Sequence, residues 1–281
     1  MARPEPARRG AAPPARSRRV SADPGPAGPA AAGSGALGVV DTARTLLEVD
    51  SLRSGYGSLP VLHGISFGIH QGETVVLLGL NGAGKSTTLA SIAGLLQPWS
   101  GGIHFDGHAV TGHDTHDLVA RGIVLVPEGR RIFPALSVAN NLRVGSWTRR
   151  KDRVAVAQNL DRVLEYFPVL AERQNQLGGT LSGGEQQMLA IARGMMSSPR
   201  LLLVDEASLG LAPKTAMTLF HTMARINADG VTVILVEQNV GVLRFAHRAL
   251  VMQKGVIVYE GSGRELLSSG ELRQAYLGAP A

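Results

Sequence analysis

The sequence predicts an α/β fold in which a mainly parallel sheet is covered by helices on both faces. Short runs of four to six apolar residues recur along the chain, and helical stretches separate them. Strands with near-continuous rather than alternating apolar residues are typical of a sheet that is buried on both faces. The apolar strands and the helical stretches between them together indicate this class.

The predicted elements follow in chain order. Two strand-like segments, Leu46–Asp50 and Val61–Ile69, open the folded part. The buried runs come next, bounded by glycines or by helical stretches; they are Thr74–Leu78, Ile123–Val126, Leu201–Val204 and Val231–Val236. Between Pro134 and Arg200 the pattern is helical, most clearly in Val154–Tyr166 and Glu185–Met196. A hairpin that turns at Lys254-Gly255 is predicted near the C-terminus.

The net charge of +6 over 281 residues is concentrated at one end of the chain. Residues 1–44 carry seven Arg against Glu5, Asp23 and Asp41, which leaves only +2 for residues 45–281. The N-terminal segment also holds seven of the fifteen prolines, so we predict a disordered tail. A transit peptide and an incorrectly assigned start are alternative interpretations. The folded body is nearly neutral, and we therefore expect no nucleic-acid partner.

Two absences in the sequence narrow the function. No cysteine occurs, which excludes disulfides and thiolate metal sites and fits a reducing compartment. No apolar run reaches the roughly 18 residues of a transmembrane helix, and the N-terminus lacks the apolar core of a secretory signal. We therefore expect a cytoplasmic chain. If it serves transport, another chain must supply the path across the membrane.

A glycine-rich motif follows the buried strand Thr74–Leu78 and precedes a helical stretch. It matches G-x-x-x-x-G-K-[ST], a phosphate-binding loop whose backbone N–H groups and following helix N-terminus attract anions. Lys85 is expected to neutralise the β and γ phosphates, and the Ser86 hydroxyl to bind Mg²⁺. A glycine-rich turn that arose by chance is the alternative. The candidate nucleotide-binding residues here are Gly79, Leu80, Asn81, Gly82, Ala83, Gly84, Lys85, Ser86 and Thr87.

Two carboxylates, Asp205 and Glu206, end the buried run at Leu201. The C-terminal edge of a strand is where α/β sheets place ligand chemistry. Asp205 is expected to hold Mg²⁺, and Glu206 to polarise the attacking water. Successive strand residues point to opposite faces, so the two acids need a sharp exit from the strand to serve one site. A solvated strand end is the alternative reading.

A second predicted anion-binding helix end lies at Leu-Ser-Gly-Gly-Glu-Gln-Gln, residues 181–187. Ser182 begins the helix, Gly183 and Gly184 follow it, and Glu185 lies in the first turn. One bound phosphate chain does not need two such helix ends from one molecule. A two-fold dimer explains both, because each chain can then cap the nucleotide that the other holds. A capped surface helix is the simpler alternative.

These three motifs, in this order, resemble the nucleotide-binding domain of ABC transporters over residues 45–281. The resemblance implies an ATPase with ATP and Mg²⁺ as cofactors, built as a P-loop NTPase with a RecA-like core. It also implies an antiparallel β-subdomain and an inserted helical subdomain at about residues 130–195. By the same resemblance Tyr56 would stack on adenine, although a core residue beside a turn is an alternative role for it.

Three longer segments resemble one branch of this family, the ATPases of branched-chain amino acid importers. They are residues 126–133, 205–213 and 236–239, the last reading Val-Glu-Gln-Asn. The resemblance implies a paralogous ATPase as partner, with a homodimer left open. It further implies integral-membrane permease subunits, an indirect link to a substrate-binding protein, and a peripheral position on the inner face of the cell membrane.

The chain also departs from the general family pattern. Glu128 replaces the usual Gln near Mg²⁺, Ala212 replaces an Asp, and Gln238 replaces a switch His that can become cationic. The proposed catalytic residues are thus Lys85, Glu206 and Gln238, and the metal ligands Ser86, Asp205 and Glu128. Two alternatives stay open: a non-transport ABC ATPase that acts on nucleic acid or ribosomes, and a regulatory partner that binds ATP but hydrolyses it weakly.

Overall fold

A computed structural model of the chain describes residues 40–270 and Gln274. Of the tail predicted at residues 1–44, residues 1–39 therefore lie outside the described residues. The strands are β1 Asp41–Tyr56, β2 Leu59–Gln71, β3 Thr74–Leu78, β4 Ser100–Phe105, β5 His108–Ala109, β6 Ile123–Val126, β7 Leu201–Asp205, β8 Thr232–Glu237, β9 Arg248–Gln253 and β10 Val256–Ser262. The α-helices are α1 Lys85–Ile92, α2 Thr115–Arg121, α3 Val138–Gly145, α4 Arg153–Tyr166, α5 Pro168–Glu172, α6 Gly183–Met195, α7 Pro213–Ala228 and α8 Gly263–Ser268.

The larger sheet has the strand order β10-β9-β3-β8-β7-β6. The strands from β9 to β6 are parallel, and β10 is an antiparallel edge strand. Every residue of β3, β7 and β8 is buried, as expected for strands covered on both faces. The predicted parallel sheet is confirmed, and the predicted hairpin is formed by β9 and β10.

A second, antiparallel sheet has the order β2-β1-β4-β5. The sequence does not predict β4 or β5. The β4 segment, Ser-Gly-Gly-Ile-His-Phe, has only a weak strand pattern. It becomes a strand because it pairs with β1, where Leu47 lies opposite Phe105. β1 begins at Asp41, so residues 41–44, which the sequence assigns to the tail, belong to a strand instead. Two contacts explain this difference: Asp41 pairs with Gln71, and Arg44 forms a 2.6 Å ion pair with Asp106.

Alternating side chains of the central strand β3 enter two different hydrophobic clusters. Val75 and Leu77 belong to the cluster shared with the antiparallel sheet, whereas Val76 and Leu78 belong to the cluster shared with the helices. This period of two is the property of a strand, and here both of its faces are apolar. The predicted α/β class with a sheet covered on both faces is therefore confirmed.

The helices α3 to α6 lie between β6 and β7 in the chain. Three of them begin at side-chain caps: Ser137 caps α3, Asp152 caps α4 and Ser182 caps α6. The limits predicted for a helical subdomain, residues 130–195, stay a prediction. Within the described residues, no helix combines the length and the apolar composition that a membrane crossing requires.

Candidate nucleotide-binding site

The glycine-rich loop connects β3 to α1 through backbone conformations that favour glycine. Gly79 has a φ of +157° and lies so close to Met252 that an added Cβ would be 2.5 Å from its carbonyl oxygen. Gly84 has a φ of +105°, and an added Cβ would lie 2.9 Å from Leu62. A side chain at either position would strain the loop. The two glycines therefore hold the loop in the shape that places Lys85 at the start of α1.

The Lys85 side chain folds back over the loop and is 4% exposed. Its Nζ donates to the carbonyl oxygens of Gly79 at 2.8 Å and Leu80 at 3.2 Å. The same Nζ lies 3.6 Å from Oε1 of Glu206. A buried ammonium group needs such oxygen partners because burial disfavours the charged form. Lys85 thus lies between the loop and the carboxylates at the end of β7.

Asp205 and Glu206 face one site because the chain bends sharply after β7. Glu206 has a left-handed backbone with a φ of +47°, and its N–H donates to the Val236 carbonyl at 2.9 Å. Burial raises the pKa of Asp205, and a hydrogen bond with the Ser86 side chain opposes this effect. Among the described residues, Oδ1 of Asp205 is buried and has no hydrogen-bond partner. An acceptor is therefore available there for a cation.

Gln238 follows the last residue of β8 and reaches Glu206, the residue that follows the neighbouring strand β7. Its Nε2 donates to both carboxylate oxygens of Glu206, at 2.8 Å and 2.9 Å. The amide therefore holds the carboxylate from one side while Lys85 approaches it from the other.

A cavity of about 830 Å³ opens above these groups at the C-terminal ends of β3, β7 and β8. It brings together most of the predicted site residues: Tyr56, Asn81, Gly82, Ala83, Gly84, Lys85, Ser86, Thr87, Glu128, Glu206 and Gln238. Tyr56 is 55% exposed at its rim, so the alternative of a core residue does not fit it. Gly79 and Leu80 lie in the loop behind the cavity and accept the Lys85 hydrogen bonds.

Sequence reasoning missed several residues that line the same cavity, namely Leu59, Pro60, Val61, His63, Leu209 and Lys254. The turn of the β9–β10 hairpin lies against the glycine-rich loop, since the Gly255 N–H donates to the Ala83 carbonyl at 2.9 Å. The Gly255 carbonyl accepts from the His63 N–H at 3.0 Å. No local pattern could reveal these contacts, because they join segments far apart in the sequence.

The segment Ser182–Glu185 does not line that cavity. It lines a separate cavity of about 440 Å³, together with Gly210, Leu211, Ala212 and Thr215. Ser182 and Glu185 form a capping box, in which Glu185 Oε2 accepts from the Ser182 N–H at 2.8 Å. This backbone hydrogen bond is the main cause that lowers the pKa of Glu185. The structure thus separates the two anion-binding elements that the sequence predicts.

The fold and the glycine-rich loop define the class of protein first: it is a P-loop nucleotide-binding protein. The family model described as ABC transporter matches residues 62–209. The chain belongs to the ABC transporter family, and it is an ABC-type ATPase. The fold class and the ATPase class predicted from the sequence are both confirmed.

Individual relatives indicate to which branch of the family the chain is most similar. The chain is 45% identical to the "High-affinity branched-chain amino acid transport ATP-binding protein BraG" of Pseudomonas aeruginosa, over 83% of this chain and 100% of that protein. It is 30% identical to BraF of the same organism, which carries the same description, over 84% of this chain and 98% of that protein. The predicted resemblance to this branch is confirmed.

Solved structures are also similar to the chain, and one of them contains a bound nucleotide. It is the dimeric post-hydrolysis state of an ATP-binding cassette bound to ADP and Pi, with a TM-score of 0.69 and 25% identity. The match covers 78% of this chain and 99% of that chain. Together with the family, this similarity supports nucleotide binding by this chain.

Proposed function

We propose that this chain is the ATP-hydrolysing subunit of an ABC importer for branched-chain amino acids. The observation that carries the chemistry is the arrangement of Lys85, Glu206 and Gln238 around one cavity that begins at a phosphate-binding loop. The substrate class rests on BraG, a relative that the chain matches over that protein's whole length.

The phosphate-binding loop and four side chains of the cavity have proposed tasks in phosphoryl transfer. The loop N–H groups and the N-terminus of α1 bind phosphate oxygens, and Lys85 exchanges its carbonyl partners for the β and γ phosphates. Glu206 accepts a hydrogen bond from the attacking water and orients it toward the γ phosphate. Gln238 keeps the Glu206 carboxylate in place. Tyr56, at the exposed rim, stacks on adenine.

Residues in and directly beneath the cavity also fit Mg²⁺. Hard cations prefer oxygen ligands, and the orphaned Asp205 Oδ1, the Ser86 hydroxyl and the Glu128 carboxylate supply oxygens. When bound, the ion would neutralise phosphate charge. Asp205 is the best candidate, because its buried oxygen lacks any other partner among the described residues.

The separation of the two anion-binding elements supports nucleotide sites that are completed by a second chain. Ser182 and Gly183 lie in a cavity of their own, and we propose that this helix end meets the nucleotide of a partner. The partner is proposed to be a paralogous ATPase, since BraG and BraF occur in one organism. Permease subunits are proposed to hold the pair at the cytoplasmic face of the membrane.

The test is reconstitution of the full chain with a paralogous ATPase and permease chains from the same organism. We expect co-purification and an ATPase rate that rises when the binding protein delivers leucine, isoleucine or valine. The Lys85→Ala variant should assemble equally well but lose this activity, because it lacks the main cation at the phosphates. Stimulation by an unrelated solute and not by these amino acids would contradict the proposed substrate class.

A further inference from the structure

Glu237, the last residue of β8, carries a buried carboxylate that the mechanism above does not use. The residue is 3% exposed and does not line the nucleotide cavity. Burying a carboxylate is costly unless its oxygens receive hydrogen bonds. The partners of this side chain therefore indicate what it does in the fold.

Both carboxylate oxygens of Glu237 bind one residue of the neighbouring segment. The Ser208 N–H donates to Oε1 at 2.9 Å, and the Ser208 hydroxyl donates to Oε2 at 2.7 Å. Ser208 lies two residues after Glu206 in the chain. The side chain thus clamps the loop that leaves β7, immediately beyond the residue proposed to orient water.

This loop needs such a clamp because Glu206 has a left-handed backbone, a conformation that is strained for an L-residue. Before the bend, the Glu206 N–H is held by the Val236 carbonyl. After the bend, Ser208 is held by Glu237. Strained backbone persists only where the surroundings fix it. The last two residues of β8 therefore hold the bend at two points, one at Glu206 itself and one at Ser208.

We propose that Glu237 is a positioning residue for ATP hydrolysis: by clamping Ser208, it holds Glu206 in the bend that directs its carboxylate toward the attacking water. This inference rests on the proposed role of Glu206. Two consecutive residues at the end of β8 then share the task, since Gln238 holds the Glu206 side chain while Glu237 holds the backbone at Ser208, two residues further on.

The role requires two hydrogen bonds to Ser208 rather than a negative charge. Burial raises the pKa of Glu237, and the two hydrogen bonds from Ser208 oppose this effect. A glutamine at this position can accept from the Ser208 N–H with its oxygen and donate to the Ser208 hydroxyl with its nitrogen. Leucine has a similar size and can do neither.

The experiment measures kcat and ATP affinity of the full chain assembled with its partners. We expect Glu237→Leu to lower kcat by about 10²-fold with ATP affinity unchanged, because a shift of about 1 Å in a catalytic group has effects of that size. Glu237→Gln should retain most of the wild-type kcat. Ser208→Ala, which removes one of the two hydrogen bonds, should give a smaller loss and serves if Glu237→Leu fails to fold.

Glu73→Leu is the matched control. Glu73 is also a buried carboxylate, 5% exposed, with hydrogen bonds from Arg248 and the His70 N–H at the opposite end of the sheet. This variant should lower stability without lowering kcat per folded molecule. An equal kcat loss in Glu73→Leu would overturn the inference, and so would a wild-type kcat in folded Glu237→Leu.

Two further outcomes are distinguishable. If Glu237→Gln is as inactive as Glu237→Leu, the carboxylate charge is required and the positioning role is wrong. If Glu206→Gln itself hydrolyses ATP at the wild-type rate, the proposed catalytic assignment fails and this inference fails with it. Loss of hydrolysis in Glu206→Gln combined with full activity in folded Glu237→Leu overturns only the inference about Glu237.

Discussion

At the scale of single residues, Gln238 determines how the Glu206 carboxylate is held. An amide offers hydrogen-bond donors at every physiological pH, whereas a histidine in its place would change its charge with pH. The Gln238 amide contacts both oxygens of Glu206 and therefore limits rotation of the carboxylate. A neutral donor can orient this group without forming an ion pair that competes with Lys85.

Substitution of Gln238 tests this contribution directly. Gln238→Ala removes hydrogen bonds to a charged group, which are worth about 1.5–3 kcal/mol, so single-turnover hydrolysis should slow by about 10- to 10²-fold. Gln238→His restores a donor and should keep or raise the wild-type rate. The measurement uses a mixed dimer in which the catalytic Glu of the partner is replaced. All hydrolysis that is observed then comes from the site that contains Glu206 and Gln238 of this chain. No hydrolysis with wild-type Gln238 would leave this chain as an ATP-binding clamp.

At the scale of secondary-structure elements, two helices that line the second cavity begin differently. Helix α6 begins with the capping box of Ser182 and Glu185. Helix α7 follows Ala212, which forms no side-chain cap, and it begins with Pro213 at its first position. Proline removes one unsatisfied N–H from the first turn, but the remaining donors lack a side-chain acceptor at the cap. α7 therefore has a stabilising substitution available.

Ala212→Asp should supply the missing cap. We expect a gain of about 1 kcal/mol in the free energy of unfolding, or about 2–4 °C in Tm for a domain of this size. Urea and thermal unfolding of the isolated chain measure this gain. Ala212→Leu is the matched control, because its side chain branches at the same position as that of Asp and has no acceptor. Equal stability of the two variants would show that the start of α7 is already satisfied.

The capping box of α6 should also make stability depend on pH. The Ser182 N–H and, to a lesser extent, Arg173 lower the pKa of Glu185 in the native state, so the unfolded chain binds more protons at acidic pH. The stabilising contribution of Glu185 is present above its unfolded pKa of about 4.3 and is lost as pH falls through its lower native pKa. The difference in unfolding free energy between wild type and Glu185→Gln should therefore shrink below pH 4. A difference that grows on acidification would contradict this assignment.

At the scale of the whole molecule, the sequence predicts the sheet better than it predicts the contacts between elements. The buried strands such as Thr74–Leu78 were evident, because each carries its own apolar run. β4 was not evident, because its pairing with β1 makes it a strand. Likewise, the glycine-rich loop is predicted from its own motif. The positions of Lys254 and His63 in the cavity, and the contact between Glu237 and Ser208, are not predicted, because they join segments that only the fold brings together.

The two separate cavities define the arrangement expected for the working molecule. The cavity at Lys85 and the cavity at Ser182 share none of their lining residues. If each ATP contacts the first cavity of one chain and the second cavity of the other, a two-fold pair contains two composite sites. Each chain then contributes its Lys85 cavity to one composite site and its Ser182 cavity to the other. Two substitutions in the same chain, one in each cavity, therefore damage both composite sites.

This arrangement predicts a specific pattern of complementation. Ser182→Asp keeps an N-cap acceptor but adds a charge that repels phosphate, whereas its control Ser182→Asn keeps the cap without the charge. Lys85→Ala and Ser182→Asp in the same chain should damage both sites and abolish hydrolysis by the mixed dimer. A second mixed dimer combines Ser182→Asp in this chain with loss of the P-loop lysine in the partner. Both defects then lie in the same composite site, and the other composite site should stay active. Single-turnover hydrolysis of the two mixed dimers distinguishes them, and the reverse pattern would mean that each chain completes its own site.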